Sequence, residues 1–253
     1  MTDPWIALRR FTQARIALGR AGHAVPTQAL LDFQLAHAQA RDAVQLPWNI
    51  NAFAGQLRDI GEETLILQTP VSNRSEYLRR PDFGRVLTEE SRIRLCNFKA
   101  RGVDVALIVS NGLSSTAVER RGIALLQTIL EGLRVRQFHI APICLVANGR
   151  VALLDDIGSV LDARVAVIVI GERPGLSAAD SLGVYLSYAP KKGNTDAERN
   201  CISNIHPPEG LSYESATRKL LYLIEESVRR GFSGVALKDE MDGLLGEGKP
   251  LIE

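Results

Sequence analysis

Three short runs rich in β-branched residues, 103–110, 139–146 and 164–170, are separated by stretches of helical length. Strands so far apart in sequence cannot close as hairpins. They must be joined by crossovers, and that makes their sheet parallel. The intervening segments 114–133 and 151–161 read as helices, each preceded by an Asn-Gly turn, Asn111-Gly112 and Asn148-Gly149. A parallel sheet needs cover on both faces. The expected fold is therefore α/β, a Rossmann-like, mostly parallel sheet with helices on both faces.

Ahead of that sheet the chain reads as a mainly helical N-terminal region. Asp3 and Pro4 supply an N-cap and a first helical position for a segment running to Arg20; Thr27 caps a second helix, 28–44, closed by Pro47; a third, 51–60, stops at Gly61. Residues 64–68 have strand character, and 73–85 are polar and loop-like. Beyond the three runs, 182–188 and 235–237 are candidate further strands. Residues 212–230 form a helix with Leu220, Leu223, Ile224 and Val228 near one stripe and Gly231 as its stop. The tail after Asp239 reads as frayed. Two regions are expected, 1–100 and 101–253.

With 253 residues, 45% of them apolar and 23% charged, the chain can bury a core. Its 30 basic and 29 acidic side chains nearly cancel, which leaves no electrostatic footprint for nucleic acid or an anionic membrane. The longest apolar run, 165–170, has strand length and falls far short of the roughly 20 residues that cross a bilayer. The amino terminus lacks the apolar stretch and cleavage site of a secretory signal, so a cytoplasmic location is expected. Cys96, Cys144 and Cys201 form no Cys-x-x-Cys pair, and His23, His37, His139 and His206 are scattered. Neither disulfides nor a metal site is expected.

In an open parallel sheet, ligands bind beyond the carboxyl ends of the strands. The turns 110–115, 147–150 and 171–175 leave the three strand ends and should form one rim. The first offers hydroxyls and backbone N–H groups at a helix start, suited either to an anion or to plain N-capping. No dinucleotide or phosphate-loop fingerprint is present. The third places Glu172 and Arg173 directly after an apolar strand, where a charge needs a ligand, a partner or a local ion pair. Ser177, Asp180 and Ser181 have no histidine placed to complete a hydrolase triad. Cys201 has His206 five residues on; the spacing admits a thiol–imidazole pair or a buried cysteine beside a loop.

Residues alone lead to an α/β module with a polar rim, open to a stand-alone nucleotide- or phosphate-binding role or to a structural one. Longer motifs narrow this. ARIALGRAG at 14–22, LLDFQLAHAQARDAV at 30–44, VSNGLSSTAV at 109–118, GERPGLSAADSLGVYL at 171–186 and ERNCISNIHPPEGLSYESA at 198–216 are long, ordered and collinear. Together they resemble the small subunit of ethanolamine ammonia-lyase over nearly the whole chain. The resemblance implies an adenosylcobalamin-dependent enzyme that converts ethanolamine to acetaldehyde and ammonia, with a large barrel subunit carrying substrate and radical chemistry. It also implies an assembly of six large and six small subunits. The small subunit would close over the corrin with no catalytic residue of its own, and Val151, Glu172 and Cys201 would be its cofactor-binding positions. Region 101–253 would then be the cobalamin-binding domain and region 1–100 the contact with the large subunit. The Asp-x-His-x-x-Gly motif of cobalamin proteins that replace the lower base is absent, which agrees with this family. Some members are packaged in a bacterial microcompartment through a longer amino-terminal extension; the match here begins within the first twenty residues.

Overall fold

Alternation of side chains along the central strands sorts the apolar residues into two cores, one on each face of a single sheet. The computed structural model describes residues 5–97 and 102–240. A 3-10 turn at Ile6–Phe11 precedes helices α1 (Thr27–Gln45) and α2 (Ile50–Asp59), strand β1 (Thr64–Leu67), and helices α3 (Arg74–Arg79) and α4 (Glu89–Cys96). There follow β2 (Val105–Ser110), α5 (Ser115–Val135), β3 (Ile143–Val146), α6 (Leu153–Val160), β4 (Val165–Gly171), β5 (Leu182–Tyr188), β6 (Arg199–Ile205) and α7 (Tyr213–Arg230).

The strand order is β1-β3-β2-β4-β5-β6. The first four are parallel, as their helical crossovers require, and β2 and β4 register from Val105 opposite Val165 to Ser110 opposite Ile170. Every residue of β2, β3 and β4 is buried, the mark of strands covered on both faces. Val105, Leu107 and Val109 face α2, α5 and α7 through Phe53, Leu57, Leu125, Ile129 and Leu220. Ala106, Ile108, Ala166 and Ile168 face the other way, onto Leu95 of α4 and Leu153, Leu154 and Ile157 of α6. Mostly parallel strands, helices on both faces and a helical N-terminal region agree with the sequence expectation.

Several local expectations need correction. Residues 172–181 hold no crossover helix, so the chain returns beside β4 with β5 antiparallel to it, and β6 turns back again, antiparallel to β5. β6 escaped sequence reading because it is an edge strand with a polar face: Cys201 and Ser203 are exposed while Ile202 and Ile205 are buried. The segment running to Arg20 is not a long helix. Only the 3-10 turn forms, and it buries no residue, so no core contact holds a longer one. Its proposed cap at Asp3 and Pro4 lies outside the described residues. The polar segment 73–85 instead folds as α3 and a 3-10 turn at Phe83–Arg85, with the Asn73 side chain accepting the Glu76 N–H at 3.0 Å. Residues 235–237 do not rejoin the sheet; Gly234–Ala236 is a 3-10 turn. The division drawn at 100 and 101 lies outside the described residues, and the sheet takes β1 from before it.

Charge is buried where α6 meets β6. Arg199 donates from Nε and Nη2 to Asp155 Oδ2 at 2.9 and 2.6 Å and from Nη2 to the Asn194 carbonyl at 2.8 Å. The neighbouring Asp156 takes the Leu87 N–H at 2.8 Å and pairs with Arg92. Both carboxylates lie in the first turn of α6, where the helix dipole favours negative charge. This network ties β6 and the loop before α4 to the helix that begins beside Val151.

Candidate functional site

The three turns do form one rim, joined by their own hydrogen bonds. Asn111 Oδ1 accepts the Asn148 N–H at 2.7 Å, Ser110 Oγ accepts that of Gly149 at 2.9 Å, and the Gly171 carbonyl accepts that of Leu113 at 2.9 Å. Gly112 sits at φ +48°, where a Cβ would stand 2.4 Å from the Gly171 carbonyl oxygen. Close approach of the first and third turns thus depends on a residue without a side chain.

Of the two readings of the first turn, capping is the one realised. Ser114 Oγ accepts the Ala117 N–H at 3.1 Å and donates to the Ala179 carbonyl at 2.9 Å; Ser115 Oγ donates to the Leu46 carbonyl at 2.7 Å. Ser110, Asn111, Ser114 and Ser115 are buried, so their polar atoms serve the fold. Leu113, half-buried, and the backbone of the buried Gly112 line a cleft of about 360 Å³ together with Val151, Glu172, Tyr185 and Ser203.

Glu172 leaves β4 into that cleft, and its partners within the fold are hydrogen-bond donors, not Arg173. Ser181 Oγ donates to Oε2 at 2.6 Å, the Asn204 N–H donates to Oε2 at 3.2 Å, and Ser203 Oγ donates to Oε1. Its backbone N–H is bonded to the Ser181 carbonyl at 3.0 Å. Charge-assisted bonds of this kind are the stronger class and hold the carboxylate in one orientation. Arg173 is exposed. Ser181, grouped in sequence with a rejected hydrolase triad, is one of these donors.

Val151 also lines the cleft, at the approach to α6. Its carbonyl accepts the Leu154 N–H at 3.1 Å and its side chain packs on the core beneath α6. Cys201 stands opposite the cleft-lining Tyr185 in the β5–β6 register, beside the cleft. It is exposed, not buried beside a loop. Its thiol titrates above the ordinary range, first because its surroundings are poorly hydrated and further because the Glu172 carboxylate is near, while a hydrogen bond with Tyr185 opposes both. The Tyr185 phenol is also raised, by burial first and then by Cys201. His206 does not activate the thiol: its Nε2 is 2.7 Å from Asn204 Oδ1, and no hydrogen bond joins it to Cys201 among the described residues.

Sequence reading missed Tyr77, Arg150, Tyr185 and Ser203. Tyr77 is wholly buried, donates its hydroxyl to the Gly149 carbonyl at 3.1 Å, and lies between the guanidinium groups of Arg74 and Arg150, 4.7 and 4.1 Å from its ring centre. It braces the second turn from a segment that reads as a polar loop, and no sequence signal marks it. Ser203 would have followed from Cys201 by alternation, had β6 been recognised. Among the described residues no cluster of three or more His, Cys, Asp or Glu is placed to hold a metal, and no helix is long and apolar enough to cross a membrane.

A mostly parallel sheet with a cleft at the carboxyl ends of its strands defines an α/β protein of the doubly covered kind. The chain belongs to the ethanolamine ammonia-lyase light-chain family, whose model matches residues 2–238. It is 52% identical over 262 residues to the ethanolamine ammonia-lyase small subunit of Azotobacter vinelandii, covering 97% of each protein. The corresponding small subunit of Ralstonia nicotianae is 53% identical over 240 residues, 94% of this chain and 88% of the relative. That of a Pseudomonas putida strain is 52% identical over 243 residues, 95% and 89% respectively. As a member of this family the chain is a lyase subunit.

Proposed function

We propose that the chain is the small subunit of an adenosylcobalamin-dependent ethanolamine ammonia-lyase and closes one side of the cobalamin site, while a large barrel subunit holds ethanolamine. The observation that carries this reading is Glu172: a carboxylate held by three internal donors, facing a cleft at the carboxyl ends of parallel strands, within a chain that matches the family almost end to end. When bound, adenosylcobalamin supplies homolysis of its cobalt–carbon bond, which begins conversion of ethanolamine to acetaldehyde and ammonia.

The residues suit such a group. A corrin carries peripheral amides, and an ionised carboxylate accepts their N–H groups. Val151 and Leu113 offer apolar contact, and the half-buried Tyr185 with the exposed Cys201 extends the same surface onto β5 and β6. A cleft of about 360 Å³ takes one edge of a macrocycle, so the remaining enclosure falls to the partner. The small-subunit names of the relatives support a large-subunit partner, and six of each is the proposed assembly. The N-terminal region is proposed as the main contact with it, because Trp5, Phe11, Leu31, Phe33 and Leu35 leave apolar area exposed on the first turn and α1. The stand-alone phosphate-binding alternative loses support from the first turn, whose hydroxyls are already bonded within the fold.

The test is Glu172→Ala in the large–small complex. Loss of a charge-assisted hydrogen bond costs about 1.5–3 kcal/mol, on the order of ten- to hundredfold in cofactor affinity. The Michaelis constant for ethanolamine should change little. Unchanged cofactor affinity in an equally assembled mutant complex would remove Glu172 from the cobalamin site.

A further inference from the structure

The Glu172 carboxylate is aimed by groups from three separate stretches of chain. These stretches are that of Glu172 itself, that of Ser181 just before β5, and β6, where the adjacent Ser203 and Asn204 lie; Ser181, Ser203 and Asn204 all donate to the same side chain. An ionised carboxylate has about four acceptor sites. Oε2 takes the Ser181 hydroxyl and the Asn204 N–H, and Oε1 takes the Ser203 hydroxyl, so one acceptor site remains on Oε1. Beside that oxygen is Gly183, where a Cβ would stand 2.9 Å from Oε1 and 3.2 Å from Cγ of Glu172. Any side chain at 183 would push the carboxylate out of its present position.

We infer that Ser181 and Ser203 are positioning residues that fix Glu172 so that Oε1 presents one open acceptor to the cleft, suited to a single amide N–H of the ligand. The inference rests on the cofactor reading above and deepens it. A glutamate free to rotate would lose side-chain entropy on binding, and part of its interaction would be offset by that loss. A carboxylate already held by three donors has lost that freedom in the folded protein. Ser203 is exposed and on an edge strand, so its hydroxyl can be removed without opening a core cavity.

The experiment measures adenosylcobalamin affinity by absorption titration of the large–small complex. It uses Glu172→Ala, Ser181→Ala, Ser203→Ala and Ser203→Thr, with each serine-to-alanine change also made on the Glu172→Ala background. Each serine-to-alanine change alone should weaken binding roughly fivefold, and Ser203→Thr, which keeps a hydroxyl, should recover most of it. On the Glu172→Ala background the serine changes should add nothing, because groups that act through one side chain are not additive. Full serine effects persisting without Glu172 would show direct contact with the ligand and overturn the inference. So would a weakened Glu172→Ala complex beside unaffected serine mutants. Unchanged affinity in Glu172→Ala itself would bring down the cofactor reading, and this inference with it.

Discussion

At the scale of single residues, the chemistry near the cleft is that of held, unreactive groups. Cys201 is exposed, yet poorly hydrated surroundings and the Glu172 carboxylate raise its thiol, and burial pushes that of Cys144 up to about 12. A raised thiol pKa means less thiolate at any given pH. Alkylation of Cys201 by iodoacetamide at neutral pH should therefore be slower than in the denatured chain, and should accelerate only as pH rises above the ordinary thiol range. Mass spectrometry of the modified peptide over a pH series checks this; native Cys201 reacting at neutral pH as fast as the denatured thiol would contradict it. The same environment argues that a contact of Cys201 with the proposed cofactor is one of packing or hydrogen bonding. Of the sequence-level candidates, Val151 and Glu172 come together in one cleft and Cys201 stands beside it. Alternation along a strand would have added Ser203 to that set, whereas nothing local in sequence points to Tyr77.

Among the elements, α6 matters most to the site, because it begins beside Val151 and is pressed closely on the sheet. Gly158 permits that approach. A Cβ there would lie 2.5 Å from Cγ of Pro190 and 2.8 Å from Cβ of Ala166. Gly158→Ala should overpack this contact and cost about 1–3 kcal/mol. For a protein of this size that is a fall of roughly 2–12 °C in the unfolding midpoint, at about 2–4 °C per kcal/mol. Because α6 would have to shift, cofactor affinity of the assembled complex should fall as well. A calorimetric midpoint equal to wild type would show that Pro190 gives way without cost. Elsewhere the elements obey local signals: Ser212 caps α7 through the Ser215 N–H at 3.2 Å, and Gly231 ends it at φ +80°. The first helical expectation failed for the opposite reason, since a segment whose apolar residues find no core to bury in has little to stabilise it beyond propensity.

For the whole molecule, the uneven distribution of apolar surface points to assembly. The two cores beneath the sheet are closed, whereas α1 buries little beyond Ala36 and Ala43 and leaves Leu30, Leu31, Phe33 and Leu35 exposed. On adding the proposed large subunit, amide hydrogen exchange should slow across 27–45, and ethanolamine deamination should appear only in the reconstituted complex. Turnover by the chain alone, or unchanged exchange in α1 within an active complex, would refute this division of labour. By itself the sequence determined the parallel central strands, their crossover helices, the stop of α7 at Gly231 and the family, because periodicity, stop residues and long collinear motifs act locally along the chain; the cap read at Thr27 was not realised, since Thr27 is the first residue of α1 and makes no side-chain cap bond. Only the tertiary structure decided the antiparallel return of β5 and β6, the bracing of the rim by Tyr77, and the aim of Glu172. Edge strands carry weak periodicity, and the donors to one carboxylate come from residues 181, 203 and 204, which only folding brings to residue 172.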